Sequence, residues 1–295
     1  MQIANPIYDV VFKYLMQNNE IAILILSTIL EEEILSLDLL PQETAVALEN
    51  RTFTVYKLDF SALIKTASGE ERHVVIEIQK AKFAADIMRF RRYLGEQYKK
   101  GLPIEGNKAP KAAPIISIYF LGYKLEHVTA PVIKVLRSYL DTATGEEIRA
   151  REEFIETLTH DSFVIQIPQL GPERRTSTEK LLAIFDQHRK VRGDSHILDI
   201  DEEAYPEEYR KVVRWLNGAV SESKIRQTME VEDDILAELE DMERQIASMG
   251  KTIEEKGKAL EEKNKALEEK NKALEEKDKA LEEKDRLIAE LRKSQ

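Results

Sequence analysis

The sequence predicts an α/β protein: a mixed β-sheet flanked by helices, followed by a helical extension and a C-terminal coiled coil. Three observations carry this. Two segments, Phe53 to Thr66 and His73 to Lys80, read as strands joined by a short turn. Helical stripes precede and follow them, at Ile21 to Leu30 and Phe83 to Lys100. From about Met229 the chain becomes charged and proline-free and ends in near-identical seven-residue repeats. The expected divisions are 1–175 for the α/β body, 176–228 for the extension and 229–295 for the coiled coil.

Asn5-Pro6 reads as a helix start, with Asn as the cap and Pro in the first turn. Asp9 then falls in the first turn, where the helix dipole favours a carboxylate. Phe12 and Leu15 are expected in the core. The apolar stretch Ile21 to Leu30 is expected as a buried helix, since it is too short to span a bilayer and follows no signal-peptide basic region. The expectation is therefore a soluble protein with no membrane partner, and the absence of cysteine fits a reducing cytoplasm.

The first strand alternates, with Tyr56, Leu58, Phe60, Ala62 and Ile64 on one face and Lys57, Asp59 and Ser61 on the other. A three-residue loop, Ala67-Ser68-Gly69, with Gly in the left-handed position, pairs Asp59 with Glu77 and Lys57 with Gln79. A two-residue loop at Ser68-Gly69 slips the register by one and separates the carboxylates. Glu77 also interrupts the run Val74-Val75-Ile76-Glu77-Ile78, which otherwise reads as a buried strand. A carboxylate there needs a partner to offset its desolvation. Two carboxylates opposite one another repel unless a cation sits between them. The pair therefore points to a metal ion.

Phe83 to Lys100 is expected as a helix whose apolar stripe is Phe83, Ile87, Phe90, Leu94 and Tyr98. Its other face carries Arg89, Arg91, Arg92, Lys99 and Lys100, with Lys80 and Lys82 just before; Arg89 and Tyr93 lie one turn apart. Pro114 to Leu121 suits a central strand and Ser162 to Leu170 another. Thr176-Ser-Thr-Glu179 reads as a capping box opening a helix through Arg189, and Pro206 as the start of a helix running past Trp215. The five histidines show no metal-ligand spacing; His160 beside Asp161 is the one to watch.

Four motifs in order, Asn5-Pro-Ile-Tyr-Asp9-Val-Val-Phe12-Lys13, Leu58-Asp59-Phe60, Ile76-Glu77-Ile78-Gln79 and Arg89-Phe-Arg-Arg-Tyr93 with Gln97 beyond, resemble the PD-(D/E)XK nuclease superfamily, in its transposase-like, recombination-promoting branch. The resemblance covers roughly residues 5 to 125. It implies a restriction-endonuclease-like sheet and a Mg²⁺-dependent endodeoxyribonuclease, with Mn²⁺ as a substitute. Asp59, Glu77 and the backbone carbonyl of Ile78 would be the metal donors, oxygen ligands that suit a hard cation. Gln79 would orient the water or a phosphate oxygen, and Asp9 is the position matching the acidic residue that the opening helix brings to such sites. The commonest superfamily pattern has Lys where Gln79 stands, so a compensating positive charge must come from elsewhere. Lys57 and Arg89 rank above Lys80, and Arg92 and Tyr93 join them as phosphate or DNA contacts.

Leu239, Ile246, Ile253, Leu260, Leu267, Leu274, Leu281 and Ile288 recur every seven residues. In the frame that puts them at a, Lys256, Lys263, Lys270, Lys277 and Lys284 occupy d. In the frame with Leu at d, Asn264, Asn271, Asp278 and Asp285 occupy a, with Lys at g and Glu at e. Residues 239–291 thus read as a solvated single helix or a modest self-association surface. The formal charge is −11, of which the segment from Arg226 carries −6 and the body −5, so DNA binding must depend on local distribution. With no cysteine, disulfides and cysteine-ligated zinc are excluded. An RNA substrate is open on these residues. So is a catalytically silent nuclease-like domain acting as an oligomeric scaffold, which Gln79 and the acidic balance favour.

Overall fold

The computed structural model describes residues 1–40, 56–66, 69–81, 87–99 and 112–293. The chain divides into two compact units, Met1–Glu232 and Asp233–Gln295.

The first unit is built on a six-stranded sheet. In chain order its strands are β2 (Glu33–Leu39), β3 (Tyr56–Lys65), β4 (Glu71–Ala81), β5 (Ile115–Leu121), β6 (Val132–Val135) and, after two short strands, β9 (His160–Gln166). In space the order is β2-β3-β4-β5-β9-β6. β4, β5 and β9 run parallel and the remaining pairs are antiparallel, so the sheet is mixed as expected. Parallel neighbours need a crossover. Between β4 and β5 that crossover contains α3 (Ile87–Lys99), the helix expected at Phe83 to Lys100. Phe83, Ala67 and Ser68 lie outside the described residues.

The pleat sorts the sheet into two faces. On one, Phe60, Ala62, Ile64, Val74, Ile76, Ile78, Ile116, Ile118, Phe120, Phe163 and Ile165 are all buried. They meet α1 (Asp9–Gln17) and α2 (Asn19–Leu30) in one core, where the Phe12 ring stands edge-on to Phe120 at 5.1 Å. The α2 helix buries Ile21, Ala22, Ile25, Leu26, Ile29 and Leu30, as its unbroken apolar run requires. The opposite face carries Asp59 and receives α3.

Asn5 does not cap a helix. The chain first forms β1 (Gln2–Ala4), and α1 begins at Asp9 with Tyr8 at the cap position and no side-chain cap. The carboxylate of Glu232 accepts from the backbone N–H groups of Asp9 and Val10, each at 2.9 Å, and so supplies the anionic cap from the far end of the unit. Asn5 is fully buried: its Oδ1 accepts from Ile7 N–H, and its Nδ2 donates to Gln187 and to the Ser195 carbonyl. It ties β1 into a second sheet, β1-β11-β10, with β10 (Lys190–Val191) and β11 (Asp194–Asp199).

The stretch 176–228, expected as an extension, shares the core of the first unit. Leu181 and Leu182 of α5 (Ser177–Leu182), with Phe185 and with Tyr209, Val212 and Leu216 of α6 (Glu207–Val220), belong to the same apolar cluster as the sheet. Thr176 accepts from Glu179 N–H as a capping box requires, and Glu179 reaches back to Arg175 N–H. The helix stops at Leu182 instead of reaching Arg189, giving way to two 3-10 turns; the second is capped by the buried Asp186. Pro206 does open α6, which carries Trp215 stacked on Tyr14.

The long helix α7 (Ser223–Lys293) runs from the first unit, where Ile225 and Met229 are buried, into the second. Gly250 and Gly257 do not interrupt it. In the second unit Ile253, Leu260, Leu267, Leu274 and Leu281 stand 59–71% exposed. Among the described residues no helix is long and apolar enough to cross a membrane.

Candidate active site

The hairpin of β3 and β4 adopts the register that the three-residue loop predicts: Asp59 opposite Glu77, and Lys57 opposite Gln79. Gly69 has φ +84°, the left-handed conformation that the loop needs and that favours glycine. Thr66 closes the turn through hydrogen bonds with Glu70.

The parallel neighbour extends this row. Glu77 is the register partner of Ser117 on β5, and Ser117 that of Ser162 on β9. Paired residues on adjacent strands share a face. Asp59, Glu77, Ser117 and Ser162 therefore form one polar line across four strands, on the face away from the main core. Gln79, paired with Lys57 and Tyr119, lies one pleat further along that face. Lys80 and Ile78 belong to the other face, and Ile78 is 1% exposed, so its main chain alone is left for a ligand role.

Helix α3 covers the row. Phe90 meets Tyr119 edge-on at 5.4 Å and joins Leu121 in a small apolar cluster. Two turns further along the same face, Gln97 is buried and its amide donates to Asp59 Oδ2 at 2.5 Å. Asp59 itself is 7% exposed, so this charge-assisted hydrogen bond holds a carboxylate that burial would otherwise penalise. The buried stripe of α3 therefore includes Gln97, while Tyr98, expected in the core, is exposed and bonds through its hydroxyl to His160 Nδ1 at 2.7 Å. Burial pushes the His160 imidazole pKa down, Arg137 adds to that, and Asp161 opposes it.

Arg91 and Arg92 are exposed on α3. Arg89 and Tyr93 lie on the same helix and Lys57, Glu77, Gln79 and Lys80 on the hairpin; their side chains lie outside the described residues. Asp9 opens α1, which packs on the opposite face of the sheet, and its first turn is held by Glu232. Among the described residues no group of three His, Asp or Glu side chains forms a metal cluster. The donor set nevertheless suits a hard cation, because it is all oxygen and includes a fully buried hydroxyl, Ser117 Oγ, that has no hydrogen-bond partner among the described residues. Ser117 was not singled out from the sequence, and Gln97 entered only as the end of the fourth motif, with no role given to its amide. A signal exists for the serine, which interrupts Ile-Ile-Ser-Ile-Tyr as Glu77 interrupts its own apolar run.

Beside this site, at the end of β9, lies a charged network. Glu156 of α4 (Glu153–Leu158) receives Arg137 at 2.8 Å, Arg151 at 3.1 Å and Arg72 at 3.5 Å, and also accepts from the Tyr139 hydroxyl. Arg137 pairs in addition with Asp161 and donates to the carbonyl of Thr159. Each buried charge here has a counter-charge, which marks the cluster as the brace of the β6–β9 edge.

In comparison with known proteins, no family model, no curated protein and no solved structure matches the chain.

Proposed function

We propose that the first unit is a metal-dependent DNA endonuclease that hydrolyses phosphodiester bonds, of the transposase-like PD-(D/E)XK kind, acting in transposition or recombination. The observation that carries this reading is the β3–β4 register, which sets Asp59 beside Glu77 on a sheet face roofed by a helix that exposes Arg91 and Arg92. Asp59, Glu77 and the Ile78 main chain are the donors for Mg²⁺ or Mn²⁺. When bound, such a cation polarises the scissile phosphate and lowers the pKa of an attacking water.

The chain's own residues do the rest. Gln97 fixes the Asp59 carboxylate in one orientation, so the ligand is preorganised instead of paying for ordering when the ion arrives. Gln79, one pleat along the strand, would orient the water or a phosphate oxygen. Since glutamine carries no charge, cations near the site must balance the extra charge of the transition state. Lys57 across the hairpin and Arg89 and Arg92 on α3 are the candidates, with the α3 arginines also gripping flanking phosphates independently of sequence.

The second unit supports self-association. With Leu260, Leu267, Leu274 and Leu281 at d, Lys at g faces Glu at e in a parallel pair, whereas an antiparallel pair sets Lys against Lys and Glu against Glu. A parallel dimer brings two nuclease units to one duplex. A silent, purely scaffolding protein is the second reading, favoured by Gln79 at the usual lysine position. Supercoiled plasmid incubated with protein at low salt decides between them. Nicking that requires Mg²⁺ and vanishes in Asp59→Ala and Glu77→Ala supports the nuclease. Intact plasmid in Mg²⁺ and Mn²⁺, with folded protein, supports the scaffold.

A further inference from the structure

Ser117 Oγ is an anomaly on physical grounds. Its residue is 0% exposed, in the middle of the central strand, yet among the described residues the hydroxyl has no hydrogen-bond partner. Burying a hydroxyl without a partner opposes folding, so such groups are rare and point to a partner that binds later. An alanine or valine would pack in a strand of this composition without that penalty. Its placement suggests what the partner is. Ser117 is the register neighbour of Glu77, which is in turn the register neighbour of Asp59, and neighbouring positions on one face lie about 5 Å apart.

We infer that Ser117 is a metal-site residue: its hydroxyl supplies a third side-chain oxygen to the cation held by Asp59 and Glu77. This rests on the proposed metal site and extends it from the hairpin to the third strand. A hydroxyl oxygen suits a hard cation, and a neutral donor adds coordination without adding a third negative charge to two adjacent carboxylates. The folded apoprotein carries a cost at this position that the ion removes.

That predicts two effects of opposite sign in one variant. Ser117→Ala removes a single unpartnered atom, so in EDTA the first unit melts at the same temperature as wild type or higher. In Mn²⁺ the same variant binds the ion about tenfold more weakly, the scale on which groups supporting a metal site act. The stabilisation that saturating Mn²⁺ confers on wild type shrinks accordingly. Titrating Mn²⁺ into the full chain by calorimetry, with wild type, Ser117→Ala and Asp59→Ala side by side, reads this without any cleavage assay. Ser117→Cys, close in volume and a poor ligand for Mn²⁺, gives the same comparison should the alanine variant not fold. Loss at Asp59→Ala with Ser117→Ala within twofold of wild type refutes the role of Ser117 and leaves the two-carboxylate site standing. No Mn²⁺ binding by wild type refutes both.

Discussion

Replacing Gln97 by Leu keeps the volume of the side chain and removes its only donors. The amide and the Asp59 carboxylate are 4% and 7% exposed and 2.5 Å apart, so water cannot readily replace the lost bond. A buried hydrogen bond to a charged group is worth about 1.5–3 kcal/mol. Gln97→Leu should therefore destabilise the first unit by about 2 kcal/mol in EDTA. The contribution of the bond itself is isolated by a cycle with Asp59→Leu: in that background no carboxylate remains to be stranded, and Gln97→Leu should cost close to nothing. The assay is urea unfolding followed by fluorescence of Trp215, the single tryptophan, which stacks on Tyr14 within the first unit and is blind to residues 233–295. At a slope of about 3 kcal/mol/M the expected shift in midpoint is roughly 0.7 M, easily resolved. An equal cost of Gln97→Leu with and without the Asp59 carboxylate would refute the coupling, and with it the claim that Gln97 preorganises the site.

Three further outcomes are expected. Glu156→Ala leaves Arg72, Arg137 and Arg151 without their shared carboxylate and should cost about 3 kcal/mol by the same fluorescence assay, whereas an exposed pair of the same unit such as Lys211–Glu20 should cost almost nothing when broken. His160 has its pKa held below 6.5, so the folded protein resists protonation that the unfolded chain accepts. Its contribution is full above pH 6.5 and is lost as the pH falls below it. Wild type should therefore lose more stability between pH 7.5 and 5.5 than His160→Gln; equal losses would count against this assignment. For the tail, the proposed parallel dimer predicts that Leu267→Asp with Leu274→Asp gives a monomer in sedimentation velocity where wild type is dimeric, and that Asp278→Asn with Asp285→Asn tightens the association by removing like charges at its a positions.

Local physics made the sheet face readable from the sequence. Alternation across Phe60, Ala62 and Ile64 showed which side is buried, and Gly69 marked the turn but was compatible with two registers, of which the structure has the one that unites Asp59 and Glu77. The all-apolar run of α2 and the proline before α6 were equally legible. What escaped depends on partners far away in the chain. Asn5 resembles a helix cap until Ser195 and Gln187 claim its amide, and the cap that α1 does use comes from Glu232. Strands as short as β1 and β10 have no periodicity to read, so the second sheet and the absorption of 176–228 into the core could not be anticipated. On α3 the stripe argument favoured Tyr98 over Gln97 because it ranks residues by polarity, and a buried carboxylate inverted that order by offering the amide a partner. The neighbourhood of Ser117 and Glu77 arises from the parallel ladder, a pairing that local sequence does not specify.

The central claim, that the polar row on this sheet cuts DNA, is tested most directly by single-turnover cleavage of an end-labelled duplex by wild type and Glu77→Gln, a change that preserves shape and removes only the charge. Wild type should cleave once Mg²⁺ is added and stop in EDTA, and cleavage should fall by at least about a hundredfold in Glu77→Gln at unchanged fold. Cleavage that persists in Glu77→Gln, or a wild-type protein that binds Mn²⁺ and leaves the duplex whole, would contradict it.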